Sequence, residues 1–198
     1  MSDALADPSL RAAVRRVVAL NLGYFLVKVS VAAVIGSVAL FADSIDVLED
    51  ASVNLLILLA LGWSAVWRAR VGLALAAILL VPAIATLWTA WGNLLEPVAP
   101  APVPLTLAGL GALAVNLACA LMLARHRTAG GSLTRAAFLS ARNDAAANLG
   151  MVLVGLVTAF IWRSAWPNVI VGLAIAALNA DSAREVWQAA RYEARASP

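Results

Sequence analysis

Residues 43–50 of the chain read DSIDVLED, and this acidic stretch lies inside an apolar segment long enough to cross a membrane. It contains four carboxylates within eight residues. An ionisable side chain in the hydrocarbon core costs free energy unless it is paired, hydrated or bound to a cation. The stretch therefore predicts a functional site at which the carboxylates bind a metal ion or a proton.

The composition around this stretch is typical of an integral membrane protein. Of the 198 residues, 63% are hydrophobic and 13% are charged. Soluble globular domains average about 45–50% apolar and about 25% charged residues. We therefore expect a single transmembrane domain over residues 1–198. Because the first residues lack the basic region and cleavage site of a signal peptide, we expect the first apolar segment to be a mature helix.

Six apolar runs predict six membrane-spanning helices in an all-α fold, since a bilayer core needs about 20 apolar residues per helix. Four predicted breaks lie at residues 36–37, 67–70, 125–131 and 162–167, and the fifth is the proline-rich segment 96–104. The runs cover approximately residues 17–35, 38–62, 71–92, 104–124, 137–161 and 168–187.

The basic residues are distributed asymmetrically about these runs. Eleven arginines fall at one side of the predicted membrane and only Arg163 falls at the other. The positive-inside rule then predicts that both termini are cytoplasmic in a multi-pass cell-membrane protein, for which we expect a bacterial inner membrane. The basic excess therefore reflects topology and does not indicate nucleic acid as a partner. Lys28 and Arg142 fall within spans.

Helical periodicity aligns the acidic residues of the second span. Positions three and four apart share one helix face, so Asp43, Asp46 and Asp50 form a stripe with Glu49 on its flank. Asp46 and Asp50 are one turn apart, which brings their carboxylates near enough to bind one cation.

The fifth span repeats this spacing with Ser140, Asp144 and Asn148, and Asn143 lies beside them. Because like charges repel, we expect Asp46, Asp50 and Asp144 to share a cation or to hold protons. Hydrogen bonding between helices is a sufficient role for neutral residues such as Asn21 and Asn54.

The two intramembrane cations leave alternatives open. Lys28 is either a counter-ion of the acids or a side chain that snorkels to the interface. Arg142 points away from the Asp144 face, and we expect it to snorkel or to pair with Glu49 or a lipid phosphate. His126 in the basic loop fits a solvated histidine better than a metal ligand.

Several function classes are disfavoured by what the sequence lacks. It contains no phosphate-binding loop, HExxH zinc motif or GxSxG nucleophile elbow. We therefore expect no conventional enzyme, no ATP-driven pump and no resident cofactor. Cys119 stands alone in an apolar run, which predicts a buried, inert thiol.

The polar blocks resemble the cation diffusion facilitator family of divalent-metal/proton antiporters. The resemblance is carried by residues 21–28, 36–50, 139–148 and 166–172, and so extends over nearly all of the chain. It implies a transport site on Asp46, Asp50 and Asp144. The fourth ligand of the family, usually His or Asp, falls on Ser140.

Serine is a weak neutral ligand, so Asn143, Asn148, Asp43 and water are the alternatives at this position. The usual cytoplasmic metal-binding domain after the sixth span does not follow, and we expect a short form. The pairing habit of the family suggests a homodimer.

The predicted function is export of a divalent transition-metal cation from the cytoplasm in exchange for protons. Zinc ranks first on the habits of the family, with cadmium, cobalt, iron and manganese as other candidates, because a site of oxygen ligands also suits harder cations. Two alternatives remain. One is a non-transporting membrane scaffold or regulator with the same fold, and the other is a transporter of a different cation.

Overall fold

The computed structural model describes residues 8–35, 38–95, 102–127 and 131–196, and it contains helices and no strand within these ranges. The breaks expected at residues 36–37 and over most of the proline-rich segment lie outside the described residues. The helices are α1 (Pro8–Ile35), α2 (Val38–Ala60), α3 (Ala65–Ile78), α4 (Leu80–Leu95), α5 (Pro102–Ala124), α6 (Gly131–Phe160) and α7 (Trp166–Arg195).

The third predicted span consists of two segments, α3 and α4, that meet at Leu79. Pro82 accounts for the interruption, because it has no N–H to donate to the carbonyl of Ile78. The interruption is local. Leu79 keeps helical angles (φ −62°, ψ −18°), and its N–H donates to the carbonyl of Leu75 at 2.9 Å.

The fold is that of an all-α membrane protein. Within the described residues, Leu105–Ala124 and Gly131–Phe160 are long and apolar enough to cross a bilayer by length and composition. Large apolar side chains also cover the outer surface, for example Ile84 at 65% exposure and Leu107 at 66%, as expected where lipid is the solvent. The number of six spans stays a prediction.

Two helix boundaries differ from those predicted. The first helix already begins by Pro8 and not at residue 17, and the predicted break at residues 67–70 is wrong because those residues lie inside α3. The turn lies at residues 61–64, where Ser64 takes an extended conformation (φ −64°, ψ 157°) immediately before α3. Tryptophan and arginine mark the membrane surface, which a helix can pass through without ending.

Packing brings the helices of the predicted site together. α1 lies along α2, α5 lies along α6, and α7 packs against α6, α3 and α4. α2 also contacts α6, and α1 contacts α5. Gly109 permits the close approach of α5 to α6, because a Cβ there would lie 3.1 Å from the carbonyl oxygen of Asn148 and 3.0 Å from Val152.

A buried cluster is formed by the first halves of α1 and α6, the second halves of α2, α5 and α7, and the end of α3. We call this end of the bundle the basic end, because the arginines early in α1, directly after α5 and in the second half of α7 also lie there. The positive-inside rule predicts that this end faces the cytoplasm. Its fully buried side chains include Leu10, Val14, Val17, Ile57, Leu75, Leu123, Leu133 and Val186.

A buried carboxylate joins three helices at the basic end. Glu193 of α7 is 3% exposed and accepts hydrogen bonds from the N–H and Oγ of Ser132 at 3.3 and 2.9 Å. Arg68 of α3 donates to the same carboxylate at 3.3 Å. Glu193 thus satisfies an N–H in the first turn of α6 that has no partner within its own helix. Gly131 adopts a left-handed φ of 70° against Glu193, a conformation that favours glycine.

Candidate metal centre

The acidic stripe of the second span lies on α2, between its start at Val38 and its end at Ala60. The side chain of Asp50 is half-buried. Those of Asp43, Asp46 and Glu49 lie outside the described part of the structure, although their backbone is helical. The structure therefore describes one of the predicted α2 ligands, and the positions of Asp43 and Asp46 stay predictions from helical spacing.

Asp144 on α6 lies between the two neutral residues that share its helix face. Ser140 Oγ donates to Asp144 Oδ2 at 3.4 Å. Asn148 Nδ2 donates to the main-chain oxygen of Asp144 at 2.7 Å. The structure thus brings Ser140 to the carboxylate itself, while the amide nitrogen of Asn148 is bonded to the backbone of its own helix.

The thiol of Cys119 on α5 lies in the interior of the bundle beside α1. Cys119 is 1% exposed, so the prediction of a buried cysteine is confirmed. Its Sγ lies 3.9 Å from Asn21 Oδ1 of α1, a weak hydrogen bond. α5 lies along α6, which carries Asp144, and α6 also contacts α2, the helix of Asp50. The four helices that carry Asn21, Asp50, Cys119 and Asp144 therefore pack together.

The described side chains do not complete a metal site by themselves. Among them, no group of three or more His, Cys, Asp or Glu residues lies close enough together to hold a metal ion. This result does not bear on Asp46, whose side chain is not described. The formation of one metal site by Asp46, Asp50 and Asp144 therefore stays a prediction.

Asn143 occupies a different face of α6 from Asp144. It is 2% exposed, and its Nδ2 donates to Asn179 Oδ1 at 2.7 Å and to Ser182 Oγ at 3.0 Å. Successive residues of a helix are about 100° apart, so Asn143 meets α7 while Asp144 faces elsewhere. The structure does not bring Asn143 to the Ser140–Asp144 face.

Arg142 joins the same contact between α6 and α7. Its Nη2 donates to Ser182 Oγ at 2.9 Å and to Asn143 Oδ1 at 3.1 Å. The described partners of the guanidinium are thus neutral groups of α6 and α7. The expected alternatives were snorkelling and pairing with Glu49 or a lipid phosphate, and the pairing with Glu49 is not tested because the side chain of Glu49 lies outside the described part of the structure. The sequence reasoning missed Asn179 and Ser182. Their spacing of three residues within an apolar span was the signal that could have found them.

Two further polar groups lie in the interior. Asn54 is 2% exposed, and its Oδ1 accepts no hydrogen bond from the described residues, while its Nδ2 donates to the main-chain oxygen of Asp50 at 2.9 Å. Lys28 is 5% exposed, with its Nζ 4.9 Å from the centre of the Tyr24 ring. The snorkelling alternative for Lys28 is therefore wrong.

Comparison with known proteins identifies the family. A search of curated proteins found no match. The model of the cation efflux transmembrane domain matches residues 14–192, a range that includes Asn21, Asp50, Cys119 and Asp144. It matches well over half of the chain. The chain therefore belongs to the cation efflux family, a family of membrane transporters that carry metal cations.

Proposed function

We propose that the protein exports a divalent transition-metal cation from the cytoplasm in exchange for protons, and that Asp46, Asp50 and Asp144 bind both. The observation that carries the proposal is the packing of α6, whose half-buried Asp144 accepts a hydrogen bond from Ser140 Oγ, against α2, which carries the half-buried Asp50. Carboxylates on two helices in contact repel each other unless a cation or a proton lies with them.

The exchange follows from the chemistry of carboxylates. A metal ion binds the deprotonated form, so binding releases protons and its affinity rises with pH. Protons that arrive from the other side of the membrane protonate the same oxygens and expel the metal. Asp46 lies one helical turn from Asp50, which is near enough for both to act on one cation.

The neighbours of the carboxylates bear on which ion is carried. The hydrogen bond from Ser140 Oγ to Asp144 Oδ2 supports an orienting role for Ser140. Asn54 lies one turn from Asp50 toward the basic end, and its buried Oδ1 is a further oxygen acceptor. An oxygen-rich site suits Mn²⁺, Fe²⁺ and Co²⁺. Zn²⁺ stays the first candidate because of the family resemblance.

The test is metal flux in vesicles containing the purified full-length chain and an imposed pH gradient. Zn²⁺ is the primary probe, with Mn²⁺, Fe²⁺, Co²⁺ and Cd²⁺ as competitors, and internal pH is recorded together with the metal. Asp50→Asn and Asp144→Asn each remove a charge at nearly constant volume. We expect each to reduce flux at least about tenfold, the lower range for loss of a group that acts on a bound metal.

Asp181→Asn is the matched control, since Asp181 is an exposed carboxylate on α7. We expect it to retain flux close to that of the unmodified protein. Unchanged flux in Asp144→Asn would refute the assignment of the site. Metal flux without any change in internal pH would refute proton exchange, and a protein that moves none of the five metals would favour the scaffold alternative.

A further inference from the structure

A second polar site lies at the basic end, away from Asp50 and Asp144. A cavity of about 470 Å³ separates the start of α1 from the end of α5. Arg16 lines it from α1, and Arg125 and His126 line it from the end of α5. None of these residues takes part in the proposed exchange of metal and protons, so the cavity has no role in that function.

The charge of this cavity is not neutralised by the described residues. The two ion pairs within the described ranges use Arg68 and Arg135. No described carboxylate lies within ion-pair distance of Arg16 or Arg125, and both are exposed. His126 is half-buried beside them and offers a ring N–H in either protonation state. Two guanidinium groups and an imidazole in one concave site match the oxygens of a phosphate group.

The surface that continues from the cavity is apolar. Leu121 lines the cavity and is 64% exposed, and Leu117 lies one turn further along α5 at 47% exposure. Leu20 lies one turn beyond Arg16 on α1 and is 41% exposed. We therefore expect Arg16 and Arg125 to lie at the membrane surface, and exposed leucines extend from them along α1 and α5 toward the hydrocarbon. This order matches the headgroup and acyl chain of a lipid.

We propose that this cavity binds an anionic phospholipid of the cytoplasmic leaflet. Arg16 and Arg125 bind the phosphate oxygens, His126 donates a further hydrogen bond, and the acyl chain lies along Leu117 and Leu121. A basic pocket between membrane helices on the cytoplasmic side is a recurrent way of binding an anionic headgroup. The apolar track favours a lipid over a free phosphate ion, which would use only the basic part of the cavity.

The proposal is tested with the purified full-length chain in neutral detergent. The probe is phosphatidylglycerol with a fluorescent acyl chain, displaced by unlabelled phosphatidylglycerol, phosphatidylcholine or inorganic phosphate. The double variant Arg16→Gln/Arg125→Gln is compared with Arg15→Gln/Arg127→Gln. The control removes the same charge from Arg15, the residue before Arg16 on α1, and from Arg127, in the same loop as Arg125. Arg127 stacks on Phe138 with 5.8 Å between the guanidinium carbon and the ring centre.

We expect the first double variant to bind phosphatidylglycerol roughly tenfold or more weakly, since each arginine near an anionic headgroup contributes substantially to lipid affinity. The control should stay within about twofold of the unmodified protein. Ala12→Leu, which narrows the cavity without changing charge, should also weaken binding, and it keeps the proposal testable if the first variant fails to fold.

Three outcomes would overturn the proposal. Equal losses in both double variants would mean that diffuse charge, and not this cavity, attracts the lipid. Equal displacement by phosphatidylcholine would remove the requirement for an anionic headgroup. Complete displacement by millimolar inorganic phosphate would identify a site for small anions and not for a lipid.

Discussion

Two adjacent residues of α6, Asn143 and Asp144, face different surroundings. We call the face of Asn143, which bonds to α7, the anchoring face, and the face of Asp144, on which we propose that the transported ion binds, the working face. Asn143 is neutral and buried, and its amide group is bonded to Arg142, Asn179 and Ser182. Asp144 is an acidic residue and half-buried, and its carboxyl group accepts a hydrogen bond from Ser140 on its own helix. The anchoring face thus bonds across to α7, whereas the described bond on the working face stays within α6.

The contrast has a physical reason. A polar group in the membrane interior must be satisfied, and permanent bonds within the protein do this at the contact between two helices. A group that exchanges a metal ion for protons needs partners that can be replaced during each cycle. The anchoring face therefore needs permanent hydrogen bonds to α7, whereas the working face, on which we propose that the ion binds, needs partners that can be exchanged.

Replacement of Asn143 by leucine should produce the largest change in stability. Asn143→Leu keeps the branched shape of the side chain but leaves Asn179 Oδ1 and the Arg142 guanidinium each without one of their partners in the interior. We expect a loss of about 2–3 kcal/mol, the cost of buried polar groups that have lost a hydrogen bond. The measurement is thermal unfolding of the purified protein in detergent.

Asp144→Asn is the matched comparison for this variant, because it changes the neighbouring residue at nearly constant volume. An asparagine oxygen can still accept the hydrogen bond from Ser140, so we expect less than about 1 kcal/mol of destabilisation together with the loss of flux. A larger loss of stability in Asp144→Asn than in Asn143→Leu would reverse the assignment of the two faces.

Ser140→Ala should affect metal binding more than stability. It removes the hydroxyl that donates to Asp144 Oδ2 at 3.4 Å. Loss of a group that orients a ligand typically reduces metal affinity 10–100-fold, and we expect about tenfold here. Titration of the purified protein with Zn²⁺ measures the change, and Ser140→Thr should restore affinity because it keeps the hydroxyl. If Ser140→Ala binds Zn²⁺ normally, the hydrogen bond has no role in the site.

Hydropathy and charge predict the membrane fold well but predict helix ends less well. The apolar runs locate the apolar parts of the helices, whereas α1 and α7 extend beyond the predicted spans, to Pro8 and Arg195. For the same reason Arg68 and Arg70 lie inside a helix and not in a turn. The interruption at Leu79 depends on Pro82, which lacks a backbone N–H, and a hydropathy average is insensitive to this local effect.

The candidate site shows a similar limit. Helical periodicity correctly relates Ser140 and Asp144, because both lie on one helix and their spacing fixes a common face. Periodicity does not tell which neighbouring helix a face meets. The contacts of Asn143 with α7 and of Cys119 with Asn21 depend on how the helices pack, and only the folded chain supplies that information.

Ser182→Ala should have the mildest consequences of these substitutions, because it lowers stability slightly and leaves metal flux unchanged. It removes the hydroxyl that accepts from Arg142 and Asn143, but Arg142 keeps Asn143 Oδ1 at 3.1 Å and Asn143 keeps Asn179 at 2.7 Å. We therefore expect a loss of about 1 kcal/mol, measured by thermal unfolding, with unchanged metal flux.

Ser52→Ala is the control, because the hydroxyls of Ser52 and Ser182 both donate to a main-chain oxygen four residues earlier, at 2.8 and 2.9 Å. Ser52 is exposed on α2, and its bond to Leu48 stays within that helix. The difference between the two variants therefore measures the contact across α6 and α7 alone. Equal stability of the two variants would mean that Asn143 and Asn179 hold this contact without the serine, and the anchoring face would reduce to that pair.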